Sequence, residues 1–401
     1  MQASIEKNDF HKSIAAVLGV VDRKCAMPIL AHVLLEANGD GVIQVSATDL
    51  ELSYKGFCPA RIKAQGAVTV PAHQLATLIK DIPQGDIEVE TTENHGLRLA
   101  QGEMKYRIHG LDPEQFPPLP GLEEGMGFVE IPSAAFKEMI KRVIYATSGD
   151  DMQYHLNSVL FEAIAGEALR MVSTDGHRLS LSEHPFPLMG LAMQEGGIIV
   201  PRKGVNELLR FAEHAETVSL AVHEQVFIAR SGDRTMTIKL LDKRFPDYRR
   251  IIPAWFAVKW TFNRVEMFQA LKRLSLLSTE RFKGVIFNPE EGRVVLKSEN
   301  ADVGHGLEIV PWTEETGTPP APLPGEEQQA QDQDEAPAPE TEPEPPPDFS
   351  AFGFNIKYLL DPLAVMTSET VELAGIAPNR PFKIRAAGDD SFFSLVMPMD
   401  V

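Results

Sequence analysis

The sequence predicts an α+β fold made of three consecutive copies of one unit, each with two helices packed on one face of an antiparallel sheet. Leu35, Phe161 and Phe287 follow one another at intervals of 126 residues, and so do Thr48, Thr174 and Asn300. Two independent markers at one constant spacing mean that a single fold is laid down three times. Apolar residues alternate through most of each copy, as half-buried antiparallel strands require. With 401 residues and 43% hydrophobic content, each of three domains has enough apolar material for its own core.

Each copy opens with a strand running into a helix around a phenylalanine: 5–17 with Phe10, 131–143 with Phe136 and 262–274 with Phe268. An apolar strand follows at 33–36, 159–162 and 285–287, and a short turn leads to a second strand at Val42, Leu169 or Val294. A second helix starts after Val70-Pro71, Val200-Pro201 and, in copy three, Phe354-Asn355. Proline in a first helical turn loses no hydrogen bond, and its fixed φ suits the start of a helix. Closing strands occupy 87–108, 218–240 and 371–397, and the first two copies exit through Phe116-Pro117 and Phe245-Pro246. The expected domains are 1–127, 128–257 and 258–401.

One stretch breaks the period. Residues 314–348 hold ten prolines and eleven Asp or Glu with no Lys or Arg, too little apolar surface to fold, so a disordered loop is expected. Its removal brings copy three to about the length of its siblings, which marks it as an insertion.

The net charge of −19 does not exclude nucleic acid, because the insertion carries eleven of those charges and leaves about −8 for the three copies. Basic residues gather at the helices: Lys7, Lys12, Arg23 and Lys24, then Lys137, Lys141 and Arg142, then Arg264, Lys272 and Arg273. The second helices add His73 and Lys80, then Arg202, Lys203 and Arg210, then Lys357. Repetition at equivalent places points to one shared anionic target, bound through phosphates without base reading and strongly salt-sensitive.

Cys25 and Cys58 fall in no metal or disulfide spacing, so no metal and no cofactor are expected. Residues 1–9 are polar and the longest apolar runs fall far short of the ~20 residues of a membrane span, which predicts a soluble, cytoplasmic chain with no membrane partner. Asp175 and His177 with Ser173 or Ser180 invite a catalytic reading. Yet residues two apart on a strand share a face, no Gly-x-Ser-x-Gly elbow occurs and no phosphate-binding glycine loop is present. No catalytic residue is assigned. A repeat-built protein scaffold is the alternative, which explains a pocket but not the basic helices.

Several motifs carry a resemblance. They are Ser173-Thr174-Asp175-Gly176-His177-Arg178-Leu179, Val200-Pro201-Arg202-Lys203-Gly204-Val205, Arg244-Phe245-Pro246-Asp247-Tyr248-Arg249-Arg250 and Val396-Met397-Pro398-Met399, joined by Pro28-Ile29-Leu30 and Thr48-Asp49-Leu50-Glu51. In order, and outside the insertion, they resemble the bacterial DNA polymerase III beta subunit family, the sliding clamps, over essentially the whole chain. The resemblance implies a head-to-tail homodimer: a pseudo-six-fold ring of clamp domains around double-stranded DNA, with helices lining the hole. It implies a processivity factor without chemistry of its own, serving DNA replication and repair. Its expected partners are the DNA polymerase III alpha subunit, the clamp loader and other proteins with a clamp-binding motif.

A partner-peptide pocket between the second and third domains is implied at Leu156, Thr174, Gly176, His177, Arg178 and Leu179, at Pro246, Arg250 and Ile251, and at Asn355, Tyr358, Met397, Pro398 and Met399. Leucine, proline and methionine suit an adaptable apolar cavity, where burying one Leu or Phe anchor contributes roughly 1.5–3 kcal/mol. DNA contact falls to Lys24, His73, Tyr154, Arg202 and Lys203. Ring closure falls to Lys105, Tyr106 and Arg107, beside Arg98, against Leu276 and Leu277 near Glu299. The chain departs from the family pattern at His73 and Gln74, at Gly304 and Gly306 in place of an acidic run, and at Asp400, where an arginine is usual.

Overall fold

The computed structural model describes residues 1–22, 26–39, 41–121, 125–150, 155–279, 283–317 and 348–399. Six helices form among them: α1 (Lys7–Ala15), α2 (Ala72–Asp81), α3 (Ser133–Ile144), α4 (Arg202–Phe211), α5 (Arg264–Ser275) and α6 (Ile356–Val365). They pack in pairs, α1 on α2, α3 on α4 and α5 on α6, so each expected copy has its two helices. Side chains close the starts of three: Glu6 accepts from the amides of Asn8 and Asp9, Asn263 from those of Val265 and Glu266, and Asn355 from that of Lys357. Such caps satisfy amides that the first turn leaves without partners.

Two details differ from the sequence reading. Pro71 and Pro201 stand at the residue before their helices rather than in the first turn, one step earlier than expected but still outside the hydrogen-bonded ladder. In copy three the core anchor is Met267, which is 1% exposed, while Phe268 is only partly buried. Met267 lies four residues after Asn263, as Phe10 does after Glu6, so helical phase rather than ring size selects the buried residue.

The chain divides into two compact units. The first comprises 1–144, 150–171 and 184–244, and the second 145–149, 172–183 and 245–401. In the first unit a five-stranded sheet runs in the order Arg61–Ala64, Gln2–Glu6, Asp86–Thr91, Leu97–Gln101, Met104–Ile108. An eight-stranded sheet joins copies one and two where Leu52–Pro59 pairs antiparallel with Arg234–Lys239, Leu52 opposite Ile238 and Tyr54 opposite Met236. A continuous core includes Phe10, Ile14, Leu35, Phe136, Phe161 and Phe227.

In the second unit, Phe392–Val396 lies between Phe382–Ala386 and residues 178–182, with Arg178 opposite Val396 and Ser180 opposite Ser394. From Phe382–Ala386 the sheet continues through Thr370–Gly375, Val258–Asn263, Gly304–Thr316, Arg293–Asn300, Gly284–Glu290 and Phe352–Asn355. Its core is aromatic: Trp260 stacks on Trp312 at 5.0 Å and on Phe352 at 5.3 Å, and meets Phe349 edge-on at 5.5 Å.

The expected insertion begins too early. Glu314–Thr316 belong to the strand Gly304–Thr316, where the Trp260 indole donates to Glu314 at 2.9 Å and Lys259 pairs with Glu315 at 2.7 Å. These acids resemble the tract that follows only in composition, since ladder pairing with Val258–Asn263 fixes them. Residues 318–347 lie outside the described residues. No described helix is long and apolar enough to cross a membrane.

Candidate partner and nucleic-acid interface

The turn at Thr174–Arg178 closes through its own side chains. The Thr174 hydroxyl donates to the Arg178 carbonyl at 2.6 Å and accepts from the Gly176 amide at 3.1 Å. One Asp175 oxygen accepts the amides of His177 and Arg178, both at 3.0 Å, while its other oxygen accepts the Arg178 Nε at 3.0 Å. Gly176 has φ +88°, a left-handed conformation natural to glycine.

Arg178 is 7% exposed and wholly engaged. Besides Asp175, its guanidinium donates to Asp361 of α6 at 2.6 Å and to the Tyr145 carbonyl, and it lies 4.5 Å from the Tyr358 ring centre and 5.5 Å from that of Tyr145. The Tyr145 hydroxyl contacts Ser180 at 3.0 Å and Ser394 at 2.7 Å. Burial pushes the Tyr145 phenol up to about 12, and burial likewise raises Tyr358, helped by Asp175. The catalytic reading of this segment fails on geometry: Asp175 is spent on the turn and Arg178, and Ser173 and Ser180 are fully buried.

Around this buried network the same unit exposes apolar groups. Met397 donates its amide to the His177 carbonyl at 2.9 Å and Met399 to the Gly353 carbonyl at 2.8 Å, yet they keep 38% and 44% of their surface exposed. Pro246, Arg250 and Ile251 lie on an exposed stretch whose Arg250 pairs with Asp247 at 2.8 Å. Asn355 caps α6, Tyr358 stands one turn on and Leu179 is buried. Thirteen of the fourteen expected pocket residues thus fall in the second unit, and Leu156 falls in the first. Tyr145 and Asp361 were missed: Asp361 stands six residues after Asn355, as Glu207 does after Pro201, but nothing local ties it or Tyr145 to Arg178.

Of the expected DNA contacts, Lys24 and Tyr154 lie outside the described residues, and His73 is half-buried on α2. Arg202 and Lys203 open α4, and the Lys203 ammonium donates to Asp49 and, at 3.0 Å, to the Val20 carbonyl. Other helix cations are also engaged: Arg142 with Glu138, Arg210 with Glu207 and Arg273 with Glu308, while Arg264 donates to the carbonyls of Leu363 and Ser368. Lys12, Lys80, Lys141, Lys272 and Lys357 remain exposed, their ammonium groups carrying no hydrogen bond or ion pair among the described residues.

Among the described residues, two of the open strand edges lie at places that the repeat equates with seams between copies. Met104–Ile108 pairs only with Leu97–Gln101, exposing Lys105, Tyr106 and Arg107. Residues 304–311 pair only with Arg293–Asn300, leaving Leu307 and Ile309 more than half exposed beside Leu276, which is 78% exposed at the end of α5.

Three family models match the chain in order: the N-terminal domain of the DNA polymerase III beta subunit at residues 1–120, its central domain at 130–247 and its C-terminal domain at 332–400. Beta sliding clamps from Pseudomonas putida and Escherichia coli K12 are 29% and 28% identical, with all of each chain covered. The crystal structure of the DNA polymerase sliding clamp from Caulobacter crescentus aligns over all of both chains with a TM-score of 0.83 at 29% identity.

Proposed function

The chain belongs to the DNA polymerase III beta subunit family, and from that premise we propose that it is a DNA sliding clamp, a processivity factor without catalytic activity whose three clamp domains are 1–127, 128–257 and 258–401. Two copies close head-to-tail around duplex DNA. The observation that carries this reading is that two of the open edges stand where the repeat elsewhere forms a seam, because the repeat says what belongs on each.

The 126-residue step takes Leu52 to Arg178 and Gly304. At Leu52 and at Arg178 the strand is completed by a neighbouring last strand, Arg234–Lys239 or Phe392–Val396. At Gly304 the place is open, and the corresponding last strand of copy one, Met104–Ile108, is itself unpaired on one side. Met104 and Arg234 both follow a two-residue turn, so Ile108 corresponds to Ile238. Transferring that register sets Gly304 opposite Ile108 and Gly306 opposite Tyr106 of a second copy. The residues corresponding to Tyr106 are Met236 and Ser394, each 2% exposed, whereas Tyr106 is 40% exposed and has a seat to fill. Gly306 supplies the seat, since a Cβ there would come within 2.7 Å of Leu277 Cδ1.

The engaged Arg178 network supports a rigid wall under the exposed Met397, Met399 and Ile251, a surface for short apolar peptides of the polymerase alpha subunit, the clamp loader and other clamp-binding proteins. Arg202, Lys203 and the unpaired helix lysines supply phosphate contacts. The test is retention on closed circular DNA: a protein that stays on circles at high salt and is lost when they are linearised encircles DNA. Equal retention on both forms refutes the ring and favours a protein scaffold.

A further inference from the structure

Asp49 and Asp175 occupy the same place in two copies of one turn, and each carboxylate divides its work in the same way. One oxygen holds the turn: in Asp49 it accepts the amides of Glu51 at 2.9 Å and Leu52 at 2.6 Å. The second oxygen takes a cation. In Asp175 that cation is Arg178 of the same strand. At the corresponding position copy one has Leu52, which cannot fill it, and Lys203 reaches over from α4 instead.

The third corner of the comparison is Lys357, which stands two residues after Asn355 as Lys203 stands two after Pro201. With Asp175 already satisfied by Arg178, Lys357 is exposed and its ammonium has no partner among the described residues. One helix position thus carries a restrained ammonium in one copy and an unrestrained one in another. Both sit at the positive end of a helix dipole, where a cation is unfavourable unless an anion meets it. Asp49, only a tenth exposed, is that anion for Lys203, which is itself nearly half exposed and able to leave.

Resting on the clamp reading, we infer that Asp49 is an electrostatic gate on DNA contact: it holds the Lys203 ammonium on its second oxygen and competes with a backbone phosphate for it. The cost falls on every encounter with DNA, so the gate weakens static binding and favours movement along the duplex over arrest.

Asp49→Asn tests this, because asparagine keeps an oxygen for the two turn amides and loses the charged acceptor of Lys203, leaving the ammonium only the neutral Val20 carbonyl at 3.0 Å. Binding of the full-length chain to a short linear duplex is measured by fluorescence anisotropy across salt. D49N steepens the slope of log K against log salt by about 0.9, one added phosphate contact, so its advantage over the unaltered protein shrinks roughly threefold between 50 and 200 mM salt. In a Lys203→Gln background the same change leaves the slope where it was. An unchanged slope for D49N overturns the inference, as does an equal gain in the K203Q background, which would reduce the effect to net charge. Should D49N fail to fold, K203Q alone decides: a slope loss well below 0.9 supports the gate, and a full loss of 0.9 refutes it. Unaltered protein that binds no duplex at low salt overturns the clamp reading and the gate together, whereas binding with equal slopes overturns the gate alone.

Discussion

Arg178→Ala removes the cation from the centre of the second unit. The guanidinium bridges Asp175 and Asp361, donates to the Tyr145 carbonyl and lies on the Tyr358 ring. Truncation leaves two carboxylates, 14% and 24% exposed, facing the void without a counter-charge. Breaking a buried ion pair from one side costs about 3–5 kcal/mol, and partial access of water to Asp361 sets the expectation near about 3 kcal/mol. All three tryptophans, Trp255, Trp260 and Trp312, lie in the second unit, so their fluorescence in a urea titration reports that unit selectively. At an m-value of about 2 kcal/mol/M the midpoint should fall by about 1.5 M. Arg178→Lys keeps the charge but cannot span both carboxylates, and should lie between. A fall of under about 0.5 M for R178A, on the same m-value, would refute the reasoning and return Arg178 to the group of surface cations available to a ligand.

The Tyr145 phenol, raised from 10 to about 12 by burial, stabilises the fold fully below pH 10 and loses that contribution as pH climbs through 12. Tryptophan-detected stability should therefore drop by roughly 2–3 kcal/mol across that window, and Tyr145→Phe should remove most of this alkaline slope, leaving the part that Tyr358 supplies; a slope as steep as that of the unaltered protein excludes Tyr145 as its main source. Leu50 holds φ +78° where Gly176 holds +88° in the equivalent turn; relief of a left-handed leucine, less the added freedom of glycine when unfolded, should make Leu50→Gly more stable by about 0.5 kcal/mol, read by far-ultraviolet circular dichroism. Replacing 318–347 by a four-residue linker should stabilise the second unit by about 1–2 kcal/mol through a shorter loop, since Glu314 and Phe349 already hold both flanks to Trp260; a large loss in the urea midpoint would show that the segment contributes to the fold. Gly306→Val should close the Tyr106 seat and shift sedimentation from two chains to one while the tryptophan transition keeps its midpoint within about 1 M.

The repeat, all six helices and the hairpins were legible because each rests on a local signal: spacing, alternation or a helix start. The errors arose where local signals compete. Phe268 drew attention by its ring, but the phase set by Asn263 buries Met267. Glu314 and Glu315 read as the first acids of a tract, but ladder pairing with Val258–Asn263 holds them in a strand. The turn motif and its arginine were visible in the sequence; Arg178's commitment to Asp361 and Tyr145 was not, because those partners lie 183 and 33 residues away. Nor did sequence show that Lys203 is already paired, since Asp49 lies 154 residues from it.

One rule of size connects the seams between copies. Tyr145 stands thirteen residues after the residue preceding α3, and the same step from Glu6 and Asn263 reaches Gly19 and Leu276. Where the helix end supplies the aromatic, the paired strands are small: Tyr145 covers Ser180 and Ser394. Where the strand supplies it, as Tyr54 does opposite Met236, the helix end is Gly19, whose missing Cβ makes room for the Glu207 carboxylate. The proposed closure fits the same rule, with Gly306 on the strand, Leu276 at the helix end and Tyr106 as the ring that a second copy would bring. Tyr106 then differs from Tyr54 and Tyr145 in one respect. Tyr54 is buried and Tyr145 largely covered within a single chain, whereas the proposed ring buries Tyr106 only on assembly, so Tyr106→Ser should leave the folded chain intact and weaken only closure into that ring.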